Sequence, residues 1–221
     1  MSDTQDLPDP DDAGFDAALV RAAMALAAEA GWQAVSPLAA ARAAGLAPEK
    51  VRARVCGRAG ILLRLGRMAD QAALSGAPAE GTVRDRLFEL LMRRLDVFQA
   101  HRAGVLALLR ALPSEPGTAL LLACATERSM GWMLDAAGVS PHGLRGMLRV
   151  KGLTGVWLWT IRAWERDESA DMAATMAALD QALARVEGWA RYLSPGARRG
   201  TGGSEAAAEA DEAPVPESPP A

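Results

Sequence analysis

The chain has 221 residues, a formal net charge of −3 and an apolar fraction of 50%, which is enough to bury a substantial core. Its two cysteines, Cys56 and Cys124, lie far apart and match neither a disulfide framework nor a zinc-site spacing, which indicates a reducing compartment. No apolar run reaches the roughly 18 residues that cross a bilayer, and the N-terminus is acidic, so we expect a cytoplasmic protein with no transmembrane segment.

The two ends of the chain differ in composition from the rest. Residues 1–14 hold five aspartates and two prolines, and residues 195–221 are rich in proline, alanine and glutamate. We predict a disordered acidic arm and a disordered tail there, because neither segment has much to bury. Strong helix formers dominate between them and long β-branched alternating runs are absent, so the sequence predicts an all-α fold. In this prediction residues 15–66 form a three-helix helix-turn-helix domain and residues 67–194 form an antiparallel helical bundle.

The helix-turn-helix is predicted from the spacing of helix start and stop signals. An Ala-rich helix at 17–30 ends at Gly31, which is suited to a left-handed C-cap. Ser36 caps the next helix, with a proline in its first turn, where the missing N–H costs nothing. Gly45 ends that short helix before Pro48 opens another. Three helices in about fifty residues, the last two joined by a tight turn containing glycine, are typical of a helix-turn-helix.

Basic residues concentrate in this segment. Residues 42–67 contain seven Arg or Lys and a single acid, Glu49, which gives a local charge of +6. A positive segment on an acidic chain is where a polyanion docks, and the alternative is a solvated, Arg-rich helix face. We predict Lys50, Arg52 and Arg54 as contacts of the recognition helix and Arg42 and Arg58 as phosphate contacts. The full set of predicted DNA-binding residues is Ser36, Arg42, Pro48, Lys50, Arg52, Arg54 and Arg58.

The remaining sequence predicts a connecting helix and then the bundle. Apolar residues recur at helical spacing within 57–77, and a turn-rich stretch follows. The bundle helices are predicted near 82–100, 104–112, 114–138, 140–166 and 169–193, with Thr82 as the N-cap of the first. The last two helices carry more apolar surface than one small bundle needs. We therefore expect them to pair with a second copy, the alternative being that these residues fill a monomer core.

An apolar ligand pocket is predicted between the bundle helices. Its predicted lining consists of Met130, Met133, Trp157, Ile161 and Trp164, and the alternative is that these side chains are plain core. The two histidines, His101 and His142, have no carboxylate or second ligand at a catalytic or metal spacing, and no nucleotide-binding, zinc-protease or hydrolase motif occurs. The sequence therefore predicts no enzyme, no cofactor and no metal site.

Residues 22–65 resemble the N-terminal DNA-binding domain of TetR-type transcriptional regulators. The resemblance depends on Trp32 after a glycine and on the run 39–46 in the place of the family's turn, followed by a short recognition helix. It implies binding to double-stranded DNA and a 67–194 domain that binds ligands and dimerises through its last two helices. A two-fold homodimer would set two recognition helices on a palindromic operator. The function implied is a repressor released by an apolar small molecule.

The bundle also resembles a second family, the ubiquinone-biosynthesis accessory proteins that bind lipids on a TetR-like fold. The similar features lie within 83–187: the run 83–87, His101 with the two residues after it, and a Trp-rich helix followed by 166–169. This resemblance implies an isoprenoid or other lipid as the partner and no DNA binding. The sequence leaves both functions open.

Overall fold

A computed structural model describes residues 10–76 and 80–192. These residues contain no strand and nine α-helices: α1 (Pro10–Ala30), α2 (Pro37–Ala43), α3 (Pro48–Arg54), α4 (Gly57–Leu74), α5 (Val83–Gln99), α6 (Arg102–Ala111), α7 (Pro116–Ala136), α8 (Gly143–Arg166) and α9 (Ala173–Tyr192). Short 3-10 turns follow α1 and α6, at Trp32–Ala34 and Leu112–Ser114. The predicted all-α fold is confirmed. We call α1 to α3 the head and α5 to α9 the body.

Helix α1 begins earlier than the sequence predicts. The expected disordered arm ends at Gly14, whereas Pro10 already opens α1, so this boundary was wrong for residues 10–14. Proline fits here because the first helical residues donate no intrahelical hydrogen bond, so its missing N–H is not needed. The rest of the predicted arm, 1–9, and the predicted tail, 195–221, lie outside the described residues.

Two predicted N-caps are confirmed. The Ser36 hydroxyl oxygen accepts the backbone N–H of Ala39 at 3.1 Å at the start of α2. Thr82 and Asp85 form a capping box at the start of α5, in which each side chain accepts the backbone N–H of the other residue, at 3.3 and 2.9 Å. These local signals therefore set where the two helices begin.

The head is built around α1, which packs against α2 and α4 and also against α6 of the body. Leu19, Val20 and Met24 of α1 are at most 2% exposed, as is Trp32 in the turn that follows. Gly104 brings α6 unusually close, because a Cβ at this position would lie 2.3 Å from the carbonyl oxygen of Met24. The head is thus in direct contact with the body.

Helix α4 joins the two parts. It packs against α1 and α2 on one side and against α5 and α7 on the other. The predicted domain boundary between residues 66 and 67 falls inside this continuous helix. A displacement of α4 would therefore be felt by both head and body.

A partly buried ion pair links α4 to the body. The Asp70 carboxylate accepts hydrogen bonds from Arg94 Nη1 of α5 at 2.5 Å and from Ser129 Oγ of α7 at 2.6 Å. The Arg94 guanidinium lies 5.0 Å from the Trp157 ring centroid and its side chain is 4% exposed. Burial lowers the pKa of Arg94, and the charge of Asp70 opposes that shift. With the Ser129 hydroxyl and the Trp157 ring, the pair connects α4, α5, α7 and α8 around one charged contact.

None of the helices in the described ranges has, by itself, both the length and the apolar content that crossing a membrane requires. The stretch Arg102–Ser114 and helix α7 reach those requirements only as a pair, and the two are bent by 119° relative to each other.

Candidate nucleic-acid interface

The turn between α2 and α3 is closed by a glycine. Gly45 has a φ of +65°, a left-handed conformation that favours glycine. The backbone N–H of Leu46 donates to the carbonyl of Ala41 at 2.9 Å, and the N–H of Gly45 donates to the carbonyl of Arg42 at 3.2 Å. This pair of bonds is a Schellman motif, which satisfies the carbonyls at the end of α2. The Schellman motif therefore fixes the orientation of α3 relative to α2.

The burial of Val51 shows which residues of α3 face outward. Val51 is 2% exposed and anchors the helix on the head core. Because successive residues advance by about 100° around an α-helix, Glu49 and Ala53 point away from that core, and Lys50 and Arg52 flank them on either side. All four of these residues are exposed. The outer surface of α3 therefore carries one acidic and two basic side chains.

Four of the five predicted cations are exposed, namely Arg42, Lys50, Arg52 and Arg54, and the first three share a further property. Arg42 lies in the last turn of α2, Lys50 and Arg52 lie on α3, and all three are exposed. None of the three forms an ion pair with another residue in the described part of the chain. Pro48, the first residue of α3, is also exposed, whereas Ser36 is partly buried and uses its hydroxyl to cap α2. The three cations are placed to meet an external anion.

Other cations of this segment are held by the protein itself. The Arg54 guanidinium lies 5.0 Å from the ring centroid of Phe15 in α1, a cation–π contact. Arg64 donates to Asp16 Oδ1 at 2.6 Å and to the Arg54 carbonyl at 2.5 Å, and Arg67 lies 3.9 Å from Asp16. The local charge of +6 therefore overstates the charge presented to solvent, since part of it is balanced by α1.

Arg58, the predicted phosphate contact at the start of α4, also has an internal partner. Its Nη1 lies 3.3 Å from Glu115 Oε1, donates to Gln33 Oε1 at 3.2 Å and lies 3.5 Å from the Trp32 carbonyl. The Arg58 side chain is 35% exposed. The structure thus brings together a predicted DNA contact and an acidic residue of the body.

Two residues near the predicted DNA contacts were not identified from the sequence: Ala53 on α3 and Glu115 just before α7. The helical period places Ala53 on the side of α3 opposite Val51, so its outward position could have been predicted from the sequence by assuming that Val51 is buried. Glu115 has no such signal, because it approaches Arg58 only through the packing of the start of α7 beside the head. No local sequence pattern predicts a contact between residues so far apart in the chain.

The five residues predicted to line a ligand pocket belong to the packed interior: Met130, Met133, Trp157, Ile161 and Trp164. All except Ile161, which is partly buried, are at most 3% exposed. Phe98 meets Trp157 edge to face at 5.8 Å, and the Trp164 indole N–H donates to Gln99 Oε1 at 2.7 Å. These five side chains therefore pack as core residues in this structure.

A cleft of about 520 Å³ opens elsewhere, between α5 and α9. An ion pair between Arg84 and Asp180, 2.6 Å apart, lies in this cleft. Its lining consists of Arg84, Asp85, Phe88, Glu89, Met176, Ala177 and Asp180. None of these residues is in the predicted pocket.

The arrangement of helices is that of TetR-type proteins, and the predicted TetR-like fold is confirmed by solved structures. The crystal structure of the TetR transcriptional regulator from Nitrosomonas europaea ATCC 19718 matches with a TM-score of 0.63 and 22% sequence identity, over 79% of this chain and 98% of that one. A protein from Rhodococcus sp. assigned as a TetR-family transcriptional regulator matches with a TM-score of 0.55 and 19% identity, over 78% of this chain and 98% of that one. No protein-family model and no curated protein matches the sequence.

Proposed function

We propose that the protein is a dimeric, DNA-binding transcriptional regulator of the TetR type. The observation that carries the proposal is the set of exposed cations on the helix-turn-helix, Arg42, Lys50 and Arg52, none of which has an ion-pair partner among the described residues. An overall acidic chain with a basic surface on such a motif suits phosphate neutralisation and readout in the major groove. Two TetR-type regulators of similar fold support the same assignment.

The dimer part of the proposal rests on α8. Large apolar side chains are exposed along the helix, with Leu144 at 72%, Leu148 at 60% and Trp159 at 54%. Exposed apolar side chains at these positions favour association, and α9, which packs along α8, would complete the interface. A two-fold axis there would present two heads to a palindromic operator.

The regulatory part of the proposal is a repressor that acts in the cytoplasm and is released by an apolar small molecule. A ligand would change DNA affinity only by its differential affinity for two arrangements of the heads, one that binds DNA and one that does not. The pocket predicted at Met130, Met133, Trp157, Ile161 and Trp164 touches the Asp70–Arg94 pair through Trp157, whose ring centroid lies 5.0 Å from the Arg94 guanidinium. It stays a prediction, and a ligand there would have to displace packed side chains.

The test compares two sets of substitutions in a fluorescence anisotropy titration with duplex DNA. Replacing Arg42, Lys50 and Arg52 with alanine should weaken binding and lower the salt slope by about one for each phosphate that the variant no longer neutralises. The matched control replaces three exposed arginines of the body, Arg110, Arg128 and Arg166, and should leave both quantities unchanged. Equal loss of affinity in the two variants would mean that the chain binds DNA only through its general charge.

A further inference from the structure

Glu115 lies just before α7 and gathers contacts from both head and body. Its Oε1 accepts the Gln33 amide at 2.9 Å and lies 3.3 Å from Arg58 Nη1. Its Oε2 accepts the Thr118 hydroxyl at 2.9 Å and the Trp32 indole N–H at 3.4 Å. The side chain is 15% exposed. A single carboxylate thus connects the turn after α1, the start of α4 and the start of α7.

The carboxylate is charged at neutral pH. Hydrogen bonds from Thr118 above all, and further ones from Gln33 and Trp32 with the charge of Arg58, lower the pKa of Glu115. Its negative charge therefore lies against the Arg58 guanidinium under ordinary conditions. A phosphate approaching Arg58 would meet a cation that already has a carboxylate partner.

We propose that Glu115 competes with DNA phosphate for Arg58, so that the packing of α7 beside the head lowers the affinity for DNA. This inference rests on the proposed function and adds a mode of regulation to it. Arg58 cannot give its full charge to a phosphate while a carboxylate lies 3.3 Å from Nη1. A shift of α7 away from the head would free the guanidinium, which couples the body to DNA binding through one ion pair.

The test is Glu115→Gln, with binding measured at fixed low salt on the same duplex as the wild type. Gln33 donates to Oε1 and Thr118 donates to Oε2, so the single amide oxygen of glutamine keeps one of these two bonds, and the substitution removes the charge and one hydrogen bond. We expect binding to tighten by about two- to fivefold, the range that corresponds to the loss of one exposed ion pair. Unchanged or weaker binding would overturn the inference.

Two further variants separate this mechanism from a general charge effect. Glu127→Gln removes another carboxylate of α7, one that pairs with Lys151 away from the head, and should leave DNA affinity unchanged. In an Arg58→Ala background the gain from Glu115→Gln should disappear, because the cation that it releases is absent. A gain that persists without Arg58 would overturn the inference even if the protein binds DNA. If neither the wild type nor Glu115→Gln binds any duplex, the proposed function itself fails.

Discussion

Asp167 holds the turn between α8 and α9 with its side chain. One carboxylate oxygen accepts the backbone N–H and the hydroxyl of Ser169 at 3.0 and 2.5 Å, and the other accepts those of Thr175 at 2.8 and 2.7 Å. The Asp167 carbonyl also accepts Arg102 Nη2 at 2.7 Å. The bonds from Ser169, and then those from Thr175, hold the pKa of Asp167 far below that of an ordinary aspartate.

The lowered pKa predicts an acid-sensitive contribution to stability. A carboxyl with a depressed folded-state pKa stabilises the fold fully above its unfolded pKa of about 4, and this stabilisation is lost as the pH falls below that value. We expect Asp167→Asn to lower the free energy of unfolding at pH 7, and the gap from the wild type should shrink between about pH 4 and pH 2.5. Urea unfolding over this range measures the gap.

The control for this prediction is Asp135→Asn, at an exposed position near the end of α7. It should change stability little at any pH. A gap between wild type and Asp167→Asn that stays constant on acidification would contradict the role given to the Asp167 charge.

The charges of the helix-turn-helix region show what could be predicted at the residue scale. The sequence identified the basic segment, and the exposed Lys50 and Arg52 agree with that prediction. It could not show that Arg54 lies over Phe15 or that Arg58 meets Glu115, because both partners belong to other elements. Which of these cations contact DNA stays a prediction.

At the scale of elements, the contact between α1 and α6 depends on the absence of a side chain at Gly104. A Cβ there would lie 2.3 Å from the Met24 carbonyl oxygen and 2.8 Å from its Cα. Backbone atoms cannot yield as a flexible side chain does, so the two helices would have to separate. We expect Gly104→Ala to destabilise the fold by about 2 kcal/mol or more, even though alanine favours the helix by about 1 kcal/mol. Chemical denaturation measures this difference.

Gly131→Ala is the matched control, since Gly131 lies within α7 and a Cβ there would have no heavy atom within 4 Å. This substitution should be neutral or stabilise the fold by up to about 1 kcal/mol. Similar effects of the two substitutions would show that close packing does not decide the position of α6.

Helix starts were more predictable than helix contacts for a physical reason. The caps at Ser36 and Thr82 are made by atoms three residues apart, so a short stretch of sequence contains the whole interaction. The Gly104 contact and the Asp70–Arg94 pair join residues from different helices and arise only when those helices pack. The start of α1 at Pro10 could not be predicted in this way, because an acidic, proline-containing composition is typical of disorder.

The TetR-like fold of the whole molecule is shared by both candidate functions and does not by itself distinguish them. The two families that the sequence resembles share a TetR-like fold, so the helix arrangement fits a DNA-binding regulator and a lipid-binding protein alike. What favours DNA is the surface of the helix-turn-helix, where Arg42, Lys50 and Arg52 are exposed and form no ion pair with another described residue. We therefore expect this protein to bind DNA as a dimer.

The most direct test of that claim is fluorescence anisotropy of the purified protein on its own upstream intergenic DNA, titrated over salt beside a scrambled duplex of equal length. We expect tighter binding to the upstream duplex, a steep fall in affinity with salt and two chains bound per site. Weak and equal binding to the two duplexes, with little dependence on salt, would contradict the account.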